Sequence, residues 1–280
     1  MKSGVITDCF RLPLPACLER ASRMGFHGVQ IYATTGAFCP DALSAGDRKA
    51  YRSLLRDHRL EVSALCGDMG GFGFQIAKDN PARIRATQRI VELACDLETR
   101  VVTTHIGVIP DDKADPVYSV MAEALYRCGR FAREKGVTLA IETGPESART
   151  LLGFVEDVGE GVGVNLDPAN FVMVTDQDPV EAVELLGKHI VHTHAKDGRM
   201  LKKTQPRLLY EQFATGGIQA LNAADYFIEL PLGEGAVDFD AYVAALKRAG
   251  YDGYLTVERE TGAQPEQDIA QARAFLQKYL

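Results

Sequence analysis

With 280 residues, 46% of them hydrophobic, the chain can bury a large core. A net charge of -7 and the lack of any Lys/Arg-rich run argue against a nucleic-acid backbone as the main partner, and no apolar run is long enough to span a bilayer. The opening MKSGVITDCF has no signal-peptide layout, and Cys9, Cys17, Cys39, Cys66, Cys95 and Cys128 are scattered without a CxxC pair, which predicts a cytoplasmic enzyme with reduced thiols and no structural zinc site.

The first apolar, β-branched run is GVIT (4–7), followed by the amphipathic segment PACLERASRMG (15–25). GVQIYA (28–33) starts soon after that glycine, and glycine after a helical stretch is a standard stop. DALSAGDRKAYRSLLRDH (41–58), EVSAL (61–65) and PARIRATQRIVELACDL (81–97) read as helix, strand and helix. VVTTH (101–105) ends on His105, and VYSVMAEALYRCGRFAREKG (117–136) stops at another glycine. VTLAIE (137–142) ends on Glu142 and precedes the helical ARTLLGFVEDVG (148–159). VGVNLD (162–167) ends on Asp167 and precedes PVEAVELLGK (179–188). HIVHTH (189–194) ends on His194. About forty residues then intervene before DFDAYVAALKRAG (238–250), far more than the usual connection. YLTVE (254–258) ends on Glu258, and EQDIAQARAFLQKYL (266–280) is the last helical segment.

Strand and helix alternate in eight units, which predicts a parallel sheet and a single-domain (β/α)8 TIM barrel over residues 1–280. A doubly wound open sheet is the alternative, but no GxGxxG follows the first strand, which removes its usual dinucleotide-binding form. The long connection is an insertion after strand seven. In a barrel it lies on the catalytic face, and residues 199–230 read as a lid, a subunit contact or a passive insertion.

Four late strands in a row carry a polar residue at the C-terminal tip: Glu142, Asp167, His194 and Glu258. Strand tips of a barrel ring one mouth, so residues distant in sequence converge there. Two Glu, one Asp and one His form a hard, oxygen-rich set that suits Mn²⁺ or Mg²⁺, with Co²⁺ or Zn²⁺ as alternatives. Each residue alone has a plainer explanation. Asp167 precedes Pro168 and can start a turn, and Glu258 precedes Arg259 and Glu260, a pattern of surface ion pairs. His192 and His194 share a strand face. The outer His194 is the better ligand, and the deeper His192 reads as a hydrogen-bonded core or supporting histidine. His105 either lines the substrate pocket or is structural.

At these positions the chain resembles the xylose isomerase-like TIM-barrel superfamily, in its sugar phosphate isomerase/epimerase branch, which includes ketose 3-epimerases, inosose dehydratase and hydroxypyruvate isomerase. The resemblance runs in order through GFHGVQIY (25–32), IETGPE (141–146), VNLDPANF (164–171), HTHAKD (192–197), PLGEGAVDF (231–239) and LTVERE (255–260). It implies a divalent metal, usually manganese, held by Glu142, Asp167, His194 and Glu258. In the ketose 3-epimerase members, the glutamates matching Glu142 and Glu258 also act as the acid/base pair. Asn170 stands where several relatives have a histidine that binds substrate or a second metal. The PLGEG match suggests a loop near the site, with Glu234 a contact. Glu146, Lys196 and Arg199 are further expected substrate contacts.

Such a set suits proton abstraction beside a carbonyl through a metal-stabilised enediolate. Return of the proton to the opposite face is epimerisation, and return to the neighbouring carbon is isomerisation. Loss of a leaving group makes the enzyme a lyase or dehydratase on a keto-sugar or inosose. The expected partner is a small sugar or keto-sugar, without nucleic acid or membrane, and the expected assembly is a homodimer or homotetramer. An AP endonuclease-like activity and a non-catalytic sugar-binding role are weaker alternatives. Asn170 replaces a histidine the former needs, and no histidine follows His194.

Overall fold

Short runs rich in β-branched residues alternate with helices that bury one stripe, and the two periodicities build concentric layers. A computed structural model describes residues 1–215 and 222–280. The strands are β1 (Lys2–Ile6), β2 (Gly28–Tyr32), β3 (Glu61–Cys66), β4 (Val101–Thr104), β5 (Thr138–Glu142), β6 (Val162–Leu166), β7 (Ile190–Ala195), β8 (Asp197–Met200), β9 (Phe227–Leu230) and β10 (Tyr254–Val257). Eight of them close a parallel barrel in the order β1-β10-β7-β6-β5-β4-β3-β2. The expected (β/α)8 barrel is therefore the observed fold.

The helices are α1 (Leu14–Arg23), α2 (Ala45–Asp57), α3 (Asn80–Asp96), α4 (Pro116–Glu134), α5 (Ala148–Val158), the single turn α6 (Pro168–Asn170), α7 (Pro179–Leu186), α8 (Pro206–Thr215), α9 (Phe239–Arg248) and α10 (Pro265–Leu276). Buried residues recur at helical spacing, as in Met121, Leu125 and Cys128 of α4 and Leu151, Phe154, Val155 and Val158 of α5. These stripes pack on the outward faces of the strands, and the same core contains Val5, Val29, Leu139, Ile141 and Leu255. Gly25, Gly136 and Gly250 follow α1, α4 and α9 with φ between 71° and 80°, as their positions after the helices require. No helix among the described residues is long and apolar enough to cross a membrane.

The insertion after β7 is not a structureless lid. Strands β8 and β9 pair antiparallel, Asp197 opposite Leu230 and Met200 opposite Phe227, and α8 lies between them in sequence. Residues 216–221, part of the predicted insertion, lie outside the described residues. Asp197 ties the ribbon at its base. Its Oδ1 accepts from the backbone N–H of Gly198 at 2.8 Å and Val237 at 3.1 Å. Its Oδ2 accepts from Gly233 and Gly235, both at 3.0 Å. One buried carboxylate thus serves four donors from the two ends of the insertion, and a Cβ at Gly235 would meet Oδ1 at 2.0 Å.

Candidate metal centre and substrate cavity

The C-terminal tips of β5, β6, β7 and β10 bring Glu142, Asp167, His194 and Glu258 together. All four are buried, and one donor atom of each lies within 4.8 Å of the others. Nδ1 of His194 is the hub, 3.1 Å from Glu258 Oε2, 3.5 Å from Glu142 Oε1 and 3.6 Å from Asp167 Oδ2. The two oxygens of Asp167 face different surroundings. Oδ1 caps the turn α6, accepting from Ala169 N at 2.8 Å and Asn170 N at 3.4 Å. Oδ2 faces the cluster.

The far side of His194 is fixed by residues the sequence did not single out. Its Nε2 lies 3.2 Å from Gln30 Oε1, an acceptor for a proton on Nε2. Gln30 Nε2 donates to Thr103 Oγ1 at 3.1 Å. Asn165 bridges three groups. Its Nδ2 donates to Glu142 Oε2 at 3.2 Å and also lies 3.2 Å from His194 Nε2, and its Oδ1 is 2.8 Å from His192 Nδ1. His192 completes the chain at Thr256 Oγ1, 3.0 Å away. It is therefore a supporting core histidine, as expected, and burial with the neighbouring His194 pushes its pKa down to about 3, so the ring is neutral. The barrel register slips by one residue beside Gln30 and beside Asn165, Ser63 and Val191 being the extra residues. Such irregularities re-aim side chains near sites.

Electrostatics and hydrogen bonding fit a cation. Burial opposes charge on His194, but Glu258 and Glu142 outweigh it and hold its pKa well above the usual imidazole range. Burial likewise raises the pKa of Glu142, Asp167 and Glu258, and their charged neighbours bring all three below the usual carboxylate range. Three buried carboxylates thus crowd one ring, with the Lys196 ammonium paired to Glu258 at their edge. Nδ1 of His194 and Oδ2 of Asp167 are moreover buried without a hydrogen-bond partner, and orphaned polar atoms are costly. A divalent cation would satisfy both atoms and replace the imidazolium charge, and one nitrogen with carboxylate oxygens is a donor set that hard or borderline divalent ions accept.

A cavity of about 740 Å³ opens over the cluster, with Glu142 and Glu258 in its wall. Of the expected substrate contacts, His105, Glu146, Asn170 and Lys196 line it. His105 Nε2 is 3.6 Å from Glu142 Oε1, and its ring meets Tyr210 of α8 edge-on, centroids 6.1 Å apart. Asn170 donates to Thr143 O at 2.9 Å. Burial pushes the Glu146 carboxyl up to about 7. Lys196 is buried, donating to Glu258 Oε2 at 3.1 Å and Glu260 Oε2 at 2.5 Å.

Arg199 and Glu234 are not brought to the cavity. Arg199 is exposed on β8, and Glu234 is exposed with its carboxylate accepting from Gln271 on α10 at 2.8 Å. The PLGEG loop turns outward because Asp197 gathers its backbone N–H groups beneath it. Glu229 on β9 was missed. It lines the cavity while its Oε1 accepts from Arg259 Nη1 at 2.7 Å. Only the β9 pairing reveals this role, since FIEL alone reads as part of a loop.

Comparison with known proteins agrees with this geometry. Residues 18–279 match the model of a family described as xylose isomerase-like TIM barrel. A fructoselysine 3-epimerase of Escherichia coli O157:H7 is 22% identical over 277 residues, covering 93% of this chain and 91% of the relative. An inosose dehydratase of Geobacillus thermodenitrificans is 26% identical over 172 residues, 58% of this chain and 54% of the relative. Among solved structures, a xylose isomerase domain protein from Planctomyces limnophilus superposes with a TM-score of 0.79 at 24% identity, covering 99% of this chain and 96% of that one.

Proposed function

Because the chain belongs to the xylose isomerase-like TIM barrel family, we propose that it is a divalent-metal-dependent isomerase or epimerase of a small keto-sugar. The observation that carries this reading is the convergence of Glu142, Asp167, His194 and Glu258, two of them in the wall of a cavity, with two buried donor atoms that lack a hydrogen-bond partner. Those four residues would hold the ion, Mn²⁺ by preference. When bound, it supplies Lewis acidity to a carbonyl and the hydroxyl beside it. The side chains do the rest. Glu142 and Glu258 reach the cluster from strands on either side of the β6–β7 pair. One carboxylate takes the proton from the carbon next to the carbonyl, and the other returns a proton to the opposite face. His105, Glu146 and Asn170 orient sugar oxygens, Lys196 holds Glu258 in place, and the insertion limits water access.

A second reading, elimination, is favoured by one feature. Glu146 lies in the cavity outside the ligand set with its carboxyl pushed up to about 7, so a protonated acid is at hand for a leaving hydroxyl. The inosose dehydratase relative is in keeping with it. Incubation of the Mn²⁺-loaded protein with ketoses and inososes in D₂O, followed by NMR, separates the two. Deuterium at the carbon beside the carbonyl without loss of water supports epimerisation, and loss of water supports elimination. Neither reaction in any substrate, or wild-type rates in Glu142→Gln and Glu258→Gln, would overturn the enzymatic reading. The expected loss for either variant is about 10²-fold or more.

A further inference from the structure

The cavity is larger than a monosaccharide needs. A free hexose has twelve non-hydrogen atoms, and at the roughly 30 Å³ that a water molecule occupies in the liquid these would fill at most about 360 Å³, since bonded atoms pack closer than separate molecules. That is half of the 740 Å³ over the cluster. The wall includes several large apolar side chains: Phe72 before α3, Val108 before α4, Met173 after α6, and Tyr210, Phe227 and Ile228 from the insertion. Ile228 is 39% exposed, a large apolar group held at the cavity edge.

Several charges in the wall are paired with one another or with neighbours behind it. Lys196 is the only lysine or arginine among the described lining residues, and Glu258 and Glu260 occupy its ammonium. A phosphate on the substrate would find no free cation there. Of the acids, Glu229 pairs with Arg259, and Glu211 with Arg207 at 2.7 Å. Asp68 accepts from Gly70 N at 2.8 Å. An apolar substituent gains from burial in proportion to its area.

We propose that the substrate is a keto-sugar bearing an apolar substituent of aromatic size, seated against this wall, and that the insertion sets the preference. The inference rests on the metal-dependent keto-sugar reading above. Calorimetric titration of the Mn²⁺-loaded protein tests it with two pairs of probes. One pair is D-fructose and 1-anilino-1-deoxy-D-fructose, and the other is the methyl and phenyl 3-keto-glucosides. The aryl member of at least one pair is expected to bind about tenfold tighter or more. Ile228→Asp, at an exposed position, and Phe227→Ala should both shrink that ratio. A ratio near one in both pairs would overturn the inference, as would tighter binding of D-fructose 1-phosphate or of fructose linked to lysine. The same probes in D₂O distinguish the two levels. Exchange of D-fructose without aryl preference removes only the substrate class. Aryl-selective binding without exchange or elimination supports the apolar subsite and removes the catalytic reading.

Discussion

At the scale of single residues, the centre depends on side chains that never touch a substrate. Gln30 holds the Nε2 side of His194, so Gln30→Leu frees the ring and removes the acceptor there. Mn²⁺ affinity by titration is expected to fall about 10–100-fold while the circular dichroism spectrum stays unchanged. Glu146 predicts a pH effect of definite sign. Burial raises its folded pKa from 4.5 to about 7. The folded state therefore binds more protons than the unfolded state across that window, and stability falls as pH rises through it. Glu146→Gln should flatten the decline of metal-free denaturation midpoints between these pH values, an effect of about 3 kcal/mol at most. The four clustered residues were legible in the sequence because each ends an apolar run. Gln30 and Asn165 were not, because one polar residue inside a strand does not reveal that it faces a barrel interior.

At the scale of elements, all eight barrel strands were visible as short apolar runs, and errors fell at their ends. The predicted helix over 41–58 starts only at Ala45 because Ser44 and Asp47 form a reciprocal capping box that fixes the boundary. The ribbon of β8 and β9 escaped notice because DGRM and FIEL are only four residues each and pair across nearly thirty residues of chain. Its anchor is testable. Asp197→Ala strands four backbone N–H groups, each bonded to a carboxylate, and such bonds contribute about 1.5–3 kcal/mol apiece before water replaces them. Hydrogen exchange should show lost protection at Gly198 and residues 233–237, with barrel strands β3–β5 protected as in the wild type.

At the scale of the whole molecule, the barrel spreads one centre over residues 142–258, so binding an ion ties four strands together. Ion at a hundredfold excess over Kd should stabilise the fold by about 2.7 kcal/mol and raise Tm by roughly 5 °C or more in scanning calorimetry, reversed by EDTA. Asp167→Asn, which keeps the oxygen that caps α6, should abolish most of that rise with little change in the metal-free Tm. An unchanged rise would mean the ion binds elsewhere. The division of labour around the cavity has a further consequence. The cluster is carried by strand ends, locked into the barrel register, whereas half of the apolar wall is carried by a segment the barrel does not need in order to close. Mutations in the two parts therefore face different tolerances. Substitutions at Tyr210, Phe227 or Ile228 can reshape the cavity wall while the four clustered side chains stay in place.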